Sequence, residues 1–456
     1  MKKIALILLL IIYSTSSFAQ NVRKRINIKE FIYLAKQNDP DFQKISHDKR
    51  RLEFFIDQNS PYRPAIFTHE HEYGVDSKND LETSNFSTSI SKEFVDTGTN
   101  LSVGRSGSDR SDREEEVTEF SIEQSLYKNL FGKSSKLRKS AIKSEEYIIT
   151  LQLLESYEDY IGYIIAQYLD FQKLYLDKIL SEKIYQEALK LQKNVLSKKK
   201  KNIATSIDLD RANLQVLLRE EDMINKRKDF MSKWTIIKKI TGQDEIIIPE
   251  INMNELLDKT FPESSIDKLR VYKIIGLQED IAKKELKLSD YDNMPSLKLV
   301  AGYRMDESKR YSTSVDSNEL LAGIKFQMPL GNLVGKANNK SAAFNLNAIR
   351  IGKKSLFSEL SRNLSDLQSQ LQELRKKEIV SKNKVKIMER ILKDEENKYQ
   401  YGKIDLDQLI NTKNSFISYR FGHQSDLLNI NTKIIEFLSL TDQLLELENQ
   451  LNKFSL

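Results

Sequence analysis

Two histidines spaced two residues apart are the side chains in this chain best suited to binding a metal ion. His69 and His71 belong to a predicted strand, so they point to one face while Glu70 and Glu72 point to the other. A zinc site needs further protein ligands, and the chain contains only 4 histidines and no cysteine. The pattern therefore favours ordinary polar residues of a strand or loop, and neither a metal ion nor a cofactor is predicted.

Acidic residues collect at two polar breaks within long helical stretches. The first break follows the run Lys198–Lys201 and includes Asp208, and the second includes Asp405 and Asp407. Clustered carboxylates favour cations, whereas acids in the first turn of a helix stabilise its dipole. Both interpretations of the acids are open. The lysines are expected to be solvated cations near a helix end, and electrostatic docking of an acidic partner is the alternative.

The composition excludes several classes of protein. Thiol catalysis and cysteine-based metal sites require cysteine, which is absent. No Ser-His-Asp group, suitably placed carboxylate pair or glycine-rich phosphate loop is recognisable, so no enzymatic activity is predicted. The formal net charge is +6, with 30% charged residues of both signs. This basic balance is too mild to predict a nucleic-acid partner.

The N-terminal residues have the three parts of a secretory signal peptide. Two lysines provide the positive end, residues 4–13 the apolar segment, and Ser17 and Ala19 the small residues of a cleavage site. The apolar segment is too short to span a bilayer as a helix. Residues 1–19 are therefore predicted to be a signal peptide that is removed on export, and a retained N-terminal anchor is the alternative.

The rest of the chain presents the same order of elements twice. Each copy has a helical segment, alternating strand-like residues, and two long helical stretches that meet at a polar break. The predicted copies are residues 20–242 and 263–456, joined by a connection at residues 243–262. Thr-Gly at 241–242 and Thr-Asp at 441–442 place the copies 200 residues apart, whereas a shared Ile-Asp-Leu-Asp string implies 197. The offset of 200 is preferred because the regularly spaced apolar residues of the two long helical stretches share it.

The periodicity also predicts individual elements. Helical spacing covers residues 27–58 and 266–288. Strands are predicted at residues 65–73, 86–94, 99–105, 117–126, 297–303 and 320–328, with hydrophilic loops at 106–116 and 306–318. From residue 133 to residue 201, helix formers continue with almost no glycine or proline, and apolar residues recur every three and four positions as in a coiled coil.

Several weak motifs, taken in order, resemble those of the outer-membrane efflux protein family, the TolC-like channels. Residues 38–42 (Asn-Asp-Pro-Asp-Phe) are similar to the family's start in the first helix, and residues 294–297 (Met-Pro-Ser-Leu) to its entry into a strand. Residues 326–332 resemble its exit from strand to helix. The segments 206–212 and 399–402 resemble the two hairpin breaks. Their order along the whole mature chain makes the resemblance specific.

The resemblance implies a mainly α protein with a membrane β-barrel portion, built from two repeats of helix, strands and long helical hairpin. Each chain would give four strands to a twelve-strand barrel shared by a homotrimer, and this barrel would continue into a periplasmic α-helical barrel. The protein would contact lipid in the cell outer membrane and extend into the periplasm. It would be the passive exit duct of a tripartite efflux or type I secretion system. Its partners would be a periplasmic adaptor (membrane fusion) protein and an inner-membrane transporter. A periplasmic coiled-coil scaffold protein with no channel activity is the alternative.

By the same resemblance, the two helical breaks are the tips that close the inner mouth of the channel and meet the adaptor. The candidate tip residues are Asn202, Ser206, Asp208, Tyr399, Gly402, Ile404, Asp405, Asp407, Gln408 and Asn411. Ile404, Gln408 and Asn411 stand where the family often has an arginine and two acids, so its acidic constriction is not carried over. Tyr399 matches a family tyrosine that can help to hold the mouth shut.

The first copy also contains a strand pair, around residues 86–105, that corresponds to a much shorter loop in the second copy. The pair can form a periplasmic or extracellular hairpin. It can alternatively add two strands per chain to the barrel, which would give eighteen strands in a trimer. The interpretation preferred from the sequence is a hairpin outside the barrel.

Overall fold

The computed structural model describes residues 25–76, 81–110, 113–252, 265–310 and 313–446. The predicted signal peptide and part of the predicted connection between the copies lie outside the described residues. The chain divides into two compact units. We call them the helical unit, drawn from residues 1–48, 153–269 and 359–456, and the strand unit, drawn from residues 49–152 and 270–358. Within the described ranges, no helix combines the length and apolar character needed to cross a membrane.

Long helices make up most of the described chain. The α-helices are α1 (Ile28–Asn38), α2 (Pro40–Asn59), α3 (Lys133–Lys200), α4 (Ser206–Thr241), α5 (Arg270–Asn293), α6 (Leu333–Gln400) and α7 (Leu406–Leu440). Helices α3 and α6 each contain 68 residues. They run unbroken because glycine and proline, which weaken or stop helices, are rare within them. Their bounds differ by 200 positions, which is the offset preferred from the sequence.

The helix predicted over residues 27–58 is interrupted, so this prediction is wrong in part. Asp39 separates α1 from α2 and has an extended backbone, with φ −78° and ψ 121°. The cause is Pro40, since proline disfavours the helical conformation in the residue before it. The start of α1 follows the expected signal, because the Asn27 side chain accepts a hydrogen bond from the Glu30 amide at 2.9 Å.

The strands in the described ranges fall into two separate sheets. They are β1 (Arg25–Ile26), β2 (Ile66–Asp76), β3 (Leu81–Phe94), β4 (Thr99–Arg110), β5 (Arg113–Ser125), β6 (Ile248–Pro249), β7 (Ser296–Arg310) and β8 (Thr313–Gln327). In the helical unit, β1 and β6 form a short parallel pair. In the strand unit, the other six strands form one antiparallel sheet in the order β2-β3-β4-β5-β7-β8. The strand pair predicted around residues 86–105 is therefore β3 and β4, in the interior of this sheet.

The hydrophilic loops predicted at residues 106–116 and 306–318 are wrong, because most of these residues continue the strands. Backbone pairing of β4 with β5, and of β7 with β8, reaches the last described residues of each hairpin. Charged residues are accommodated because oppositely charged side chains meet across the strands. Arg105, for example, forms an ion pair with Glu116 of the neighbouring strand. Polar composition alone therefore does not mark a loop in this sheet.

Across its middle, the sheet carries an apolar row of side chains on one face and a polar row on the other. One row of paired residues, with a member from each strand, consists of Phe67, Ile90, Val103, Phe120, Tyr303 and Leu320. The adjacent row consists of Thr68, Ser89, Gly104, Glu119, Arg304 and Glu319. Because successive side chains of a strand point to opposite sides, these rows lie on opposite faces. Members of the apolar row are between 40% and 85% exposed.

The core of the helical unit is rich in aromatic rings. Phe171 is fully buried, and its ring centroid lies 5.4 Å from that of Phe230 and 6.4 Å from that of Trp234. Tyr168 is also buried and donates its hydroxyl hydrogen bond to the Ile26 carbonyl at 2.9 Å. A buried hydroxyl requires such a partner. The bond therefore joins the short β1 strand to α3.

Gly242, which ends α4, supports a first testable prediction. Its φ is 66°, and a Cβ atom there would lie 2.8 Å from the Asn38 side chain, so Gly242→Ala is expected to destabilise the protein by about 1–2 kcal/mol. Gly422 provides the control, because it lies inside α7 with nothing within 4 Å of an added Cβ. Gly422→Ala is expected to be neutral or stabilising by up to about 1 kcal/mol. Chemical denaturation measures both, and equal effects would contradict the prediction.

Candidate functional site at the helical turns

The first predicted break is the turn at residues 201–205, between α3 and α4. Asn202 adopts a left-handed conformation, φ 57°, which asparagine tolerates better than most residues. Thr205 caps α4, since its side chain accepts a hydrogen bond from the Asp208 amide at 3.1 Å and the Asp208 carboxylate accepts one from the Thr205 amide at 2.8 Å. The bonds from Thr205 lower the pKa of the Asp208 carboxyl group. These hydrogen bonds therefore stabilise the folded protein fully above the pKa that Asp208 has in the unfolded chain. The stabilisation is lost as the pH falls through the lower pKa of Asp208 in the folded protein.

The second break, at residues 401–405 between α6 and α7, has a similar geometry. Gly402, at the position that corresponds to Asn202, is also left-handed, with φ 69°. Asp405 caps α7, and its carboxylate accepts a hydrogen bond from the Gln408 amide at 2.7 Å. This contact supports the interpretation of Asp405 as an acid that stabilises the start of a helix.

An apolar cluster joins the two helical hairpins next to these turns. Its buried members come from α3, α4, α6 and α7, and they are Val195, Ala212, Leu392, Tyr399, Leu406, Leu409 and Ile410. Ile404 packs against this cluster and is partly buried. Of the candidate residues, Tyr399 and Ile404 therefore contribute mainly through packing.

Lys198 and Tyr399 form a partly buried polar contact between the hairpins. The Lys198 ammonium donates a hydrogen bond to the Tyr399 carbonyl at 2.9 Å and lies 3.7 Å from the centre of the Tyr399 ring. Partial burial lowers the pKa of Lys198. Burial, followed by the nearby charge of Asp208, raises the pKa of Tyr399. The Lys198 ammonium is therefore only partly solvated, because Tyr399 of α6 lies over it.

Arg211 and Asp407 form a second contact between the hairpins. The guanidinium of Arg211, on α4, lies 2.6 Å from the carboxylate of Asp407, on α7, and both side chains are 47% exposed. A pair this exposed adds little to stability, about 0–1 kcal/mol. The pair instead links the N-terminal parts of α4 and α7. Asp407 is therefore occupied by an arginine partner of the same chain.

The other candidate residues lie on the surface of the turns. Asn202, Ser206, Gln408 and Asn411 are exposed. Each candidate acid has a different local partner: Asp208 completes the capping box of α4, Asp405 caps α7, and Asp407 pairs with Arg211.

Three exposed apolar side chains at the turns were not among the candidates. Ile203 is 70% exposed, Ile207 63% and Tyr401 79%. Contiguous exposed apolar patches mark contact sites for other proteins, whereas single exposed apolar side chains are common. The occurrence of these three side chains within short polar breaks was the signal in the sequence. Arg211 was recognised only as part of a motif, because its partner lies on a different hairpin.

The Thr205 cap gives a second prediction. Thr205→Ala removes the side-chain acceptor of the cap and is expected to destabilise the start of α4 by about 0.5–2 kcal/mol. The pKa of Asp208 should rise part of the way towards its ordinary value, since the hydrogen bond from the Thr205 hydroxyl is removed while the bond from the Thr205 amide remains. Amide hydrogen exchange of residues 205–212 measures the first effect. Ser206→Ala, one position later, is the control, and equal loss of protection in both variants would contradict the cap assignment.

The two histidines considered for metal binding form hydrogen bonds within the sheet. His69 Nδ1 lies 2.7 Å from a hydroxyl of β3, and His71 Nε2 lies 3.4 Å from another. Among the described residues, the acids whose spacing suits a metal ion are Glu155, Glu158 and Asp442, with one ligand atom of each within 4.8 Å of the others. The Glu158 carboxylate accepts a hydrogen bond from the Leu444 amide at 2.7 Å, which secures the end of the described chain.

Comparisons with known proteins agree at the level of the fold. No protein-family model and no curated protein matches the chain. A structure of CusC, described in connection with transmembrane channel formation, matches with a TM-score of 0.69 and 12% identity over 93% of this chain and 95% of that chain. The outer membrane protein VceC from Vibrio cholerae matches with a TM-score of 0.66 and 12% identity over 91% and 95% of the two chains. The CmeC outer membrane channel from Campylobacter jejuni matches with a TM-score of 0.61 and 12% identity over 91% of this chain and 85% of that chain. The chain therefore has the fold of the TolC-like outer-membrane efflux channels.

Proposed function

We propose that this protein is an outer-membrane exit duct, a passive channel of a tripartite efflux or type I secretion system. The observation that supports this most is the fold shared over 91–93% of the chain with CusC, described in connection with transmembrane channel formation, the outer membrane protein VceC and the CmeC outer membrane channel. The exposed apolar face of the sheet gives independent support, because a soluble monomer rarely exposes a continuous apolar surface of this extent. Lipid of the outer membrane is the partner whose chemistry suits that face.

The proposal includes a homotrimer of chains with two repeats each, preceded by a signal peptide at residues 1–19. The matching lengths of α3 and α6, and the matching turns that follow them, support the division into residues 20–242 and 263–456. A homotrimer is supported by the open edges of the sheet, since edge strands within lipid need partners from other chains.

The helical turns are proposed as the periplasmic tips, which dock an adaptor protein and hold the inner mouth closed. The exposed apolar residues at the turns offer a surface for the adaptor. The Lys198–Tyr399 and Arg211–Asp407 contacts offer links between the hairpins that would have to rearrange when the mouth opens. Energy for transport would come from the inner-membrane transporter, and no enzymatic step is assigned to this chain.

Single-channel recording of the detergent-extracted mature protein tests the proposal. We expect a mass of three chains, extraction with the outer-membrane fraction, and discrete conductance steps in a planar bilayer. A protein that is monomeric, soluble without detergent and silent in the bilayer would overturn the proposal. That result is the one expected of a periplasmic coiled-coil scaffold.

A further inference from the structure

The strand pair present only in the first copy lies in the middle of the sheet. β3 and β4 are placed between β2 and β5, and each is hydrogen-bonded along its described length on both sides. They contain 14 and 12 residues, whereas β2 and β5, which flank them, contain 11 and 13. A membrane-spanning strand needs about 9–11 residues. The extra strands are therefore as long as their neighbours and cannot leave the sheet without dividing it.

The apolar row of the sheet crosses the extra strands without interruption. In the cross-strand row described above, Ile90 and Val103 connect Phe67 of β2 to Phe120 of β5. The polar row is equally continuous, with Ser89 and Gly104 in the extra strands. A hairpin in water has no reason to keep its apolar side chains on the face that its neighbours use. The pattern instead matches that of a barrel wall, in which outward-facing apolar and inward-facing polar residues alternate.

The turn of the extra hairpin is fitted closely to the segment that follows β5. The Ser125 amide donates a hydrogen bond to the Gly98 carbonyl at 3.1 Å, and the Gln124 side chain donates one to the Thr97 carbonyl at 3.0 Å. Gly98 has φ 71°, and an added Cβ would lie 2.5 Å from the Asn129 carbonyl oxygen. The hairpin is thus anchored at its turn as well as along both strands.

The two edge strands of the sheet run in opposite directions, so they can pair antiparallel. Because all six strands are antiparallel, the first strand, β2, and the last, β8, run in opposite directions. In the described part of the chain, each of these edge strands pairs on one side only. The two ends of the apolar row, Phe67 and Leu320, are its most exposed members, at 65% and 85%. A second copy that added its β2 to β8 would continue both the antiparallel order and the row.

We propose that all six strands of each chain enter the membrane wall, with β8 of one copy paired to β2 of the next, so that three copies close an eighteen-strand barrel. This rests on the trimer of the proposed function. It reverses the interpretation preferred from the sequence, which placed the extra pair outside a twelve-strand barrel. Since barrel diameter grows roughly linearly with strand number, an eighteen-strand barrel would be about one and a half times as wide as a twelve-strand barrel.

Engineered disulfides test this arrangement, and the natural chain contains no cysteine to interfere. Glu70→Cys on β2 is combined in turn with Glu319→Cys, Leu321→Cys, Gly323→Cys or Lys325→Cys on β8, all on the polar face. A disulfide forms only when the two Cα atoms lie within about 7 Å. Several β8 positions are therefore tested, so that the series covers the possible registers of β2 against β8. Each single-cysteine protein is first checked for trimer formation. We expect one or two adjacent combinations to give, on oxidation, a ladder that ends at three chains and disappears on reduction.

Matched pairs distinguish the competing arrangement. If β3 and β4 lay outside the barrel, β2 would pair with β5 of the same chain, and Glu70→Cys would crosslink within the chain to Val117→Cys, Glu119→Cys or Ser121→Cys on the polar face of β5. Trimers with that crosslink, or trimers with no β2–β8 crosslink, would overturn the inference while leaving the proposed duct intact. A monomeric protein with no conductance would overturn both.

Discussion

The Ile90→Lys variant is expected to lose most of its assembled trimer, with a loss of about 2–4 kcal/mol in the free energy of unfolding from the membrane. Ile90 lies on the apolar face of β3, is 52% exposed, and pairs with Phe67 and Val103 on the neighbouring strands. A lysine ammonium placed there would face hydrocarbon, and the penalty is largest near the middle of the bilayer. Urea titration of the protein in lipid vesicles measures the loss, and semi-native gels measure the trimer.

The matched control is the neighbouring residue. Ser89→Lys introduces the same charge one position earlier on the same strand, where the side chain points to the polar face beside Thr68 and Gly104. We expect it to assemble normally, because that face is already lined by ion pairs such as Arg304–Glu119 at 2.9 Å. If the two variants assembled equally well, β3 would not lie in lipid. If both failed, the loss would reflect strand propensity and not the face.

The helical part of this structure could be predicted from local signals. The bounds of α3 and α6 follow from an uninterrupted run of helix formers, and both turns follow from polar residues that cap the next helix. Thr205 and Asp405 act over three residues, so their partners can be identified without knowing the fold. The same reasoning missed the break at Asp39, although Pro40 signals it.

The sheet could be predicted only in part, because its strands depend on distant partners. Residues 106–116 look like a loop when their charges are counted, yet the strand is stabilised by pairs such as Arg105–Glu116 across the ladder. The position of β3 and β4 in the middle of the sheet likewise depends on hydrogen bonds to β2 and β5. Register between strands is decided by such cross-strand fits, which a single sequence does not display.

The contacts between the two hairpins escaped prediction for a related reason. Lys198 stands in a run of four lysines that is typical of a solvated helix end. Its ammonium is nevertheless covered by Tyr399, 201 residues away in the chain. Packing of α3 against α6 decides its environment, and only the structure reveals that packing.

Tyr399→Ala is expected to have the second large effect, a loss of about 3–5 kcal/mol in the local stability of the turns. Tyr399 is 7% exposed within the apolar cluster, and its ring faces the Lys198 ammonium at 3.7 Å. The substitution leaves a cavity and exposes a lysine whose pKa is lowered by burial. Hydrogen exchange of residues 392–410 should accelerate more than about a hundredfold, since local opening follows local stability. If the turns hold the mouth closed, the conductance of the resting channel should also rise.

Tyr399→Phe distinguishes the contribution of the Tyr399 ring from that of its hydroxyl group. The contacts with Lys198 use the Tyr399 carbonyl and the face of its ring, and phenylalanine keeps both. We therefore expect Tyr399→Phe to cost less than about 1 kcal/mol and to leave conductance unchanged, because a volume-conserving exchange preserves the packing. A Tyr399→Phe protein as open as Tyr399→Ala would assign the effect to the hydroxyl, which lies near the charge of Asp208.

Lys198→Met then decides the role of the ammonium, since methionine retains the apolar stem and removes the charge. A loss in Lys198→Met that is similar to the loss in Tyr399→Ala would mean that the cation, and not the buried ring, joins the two hairpins.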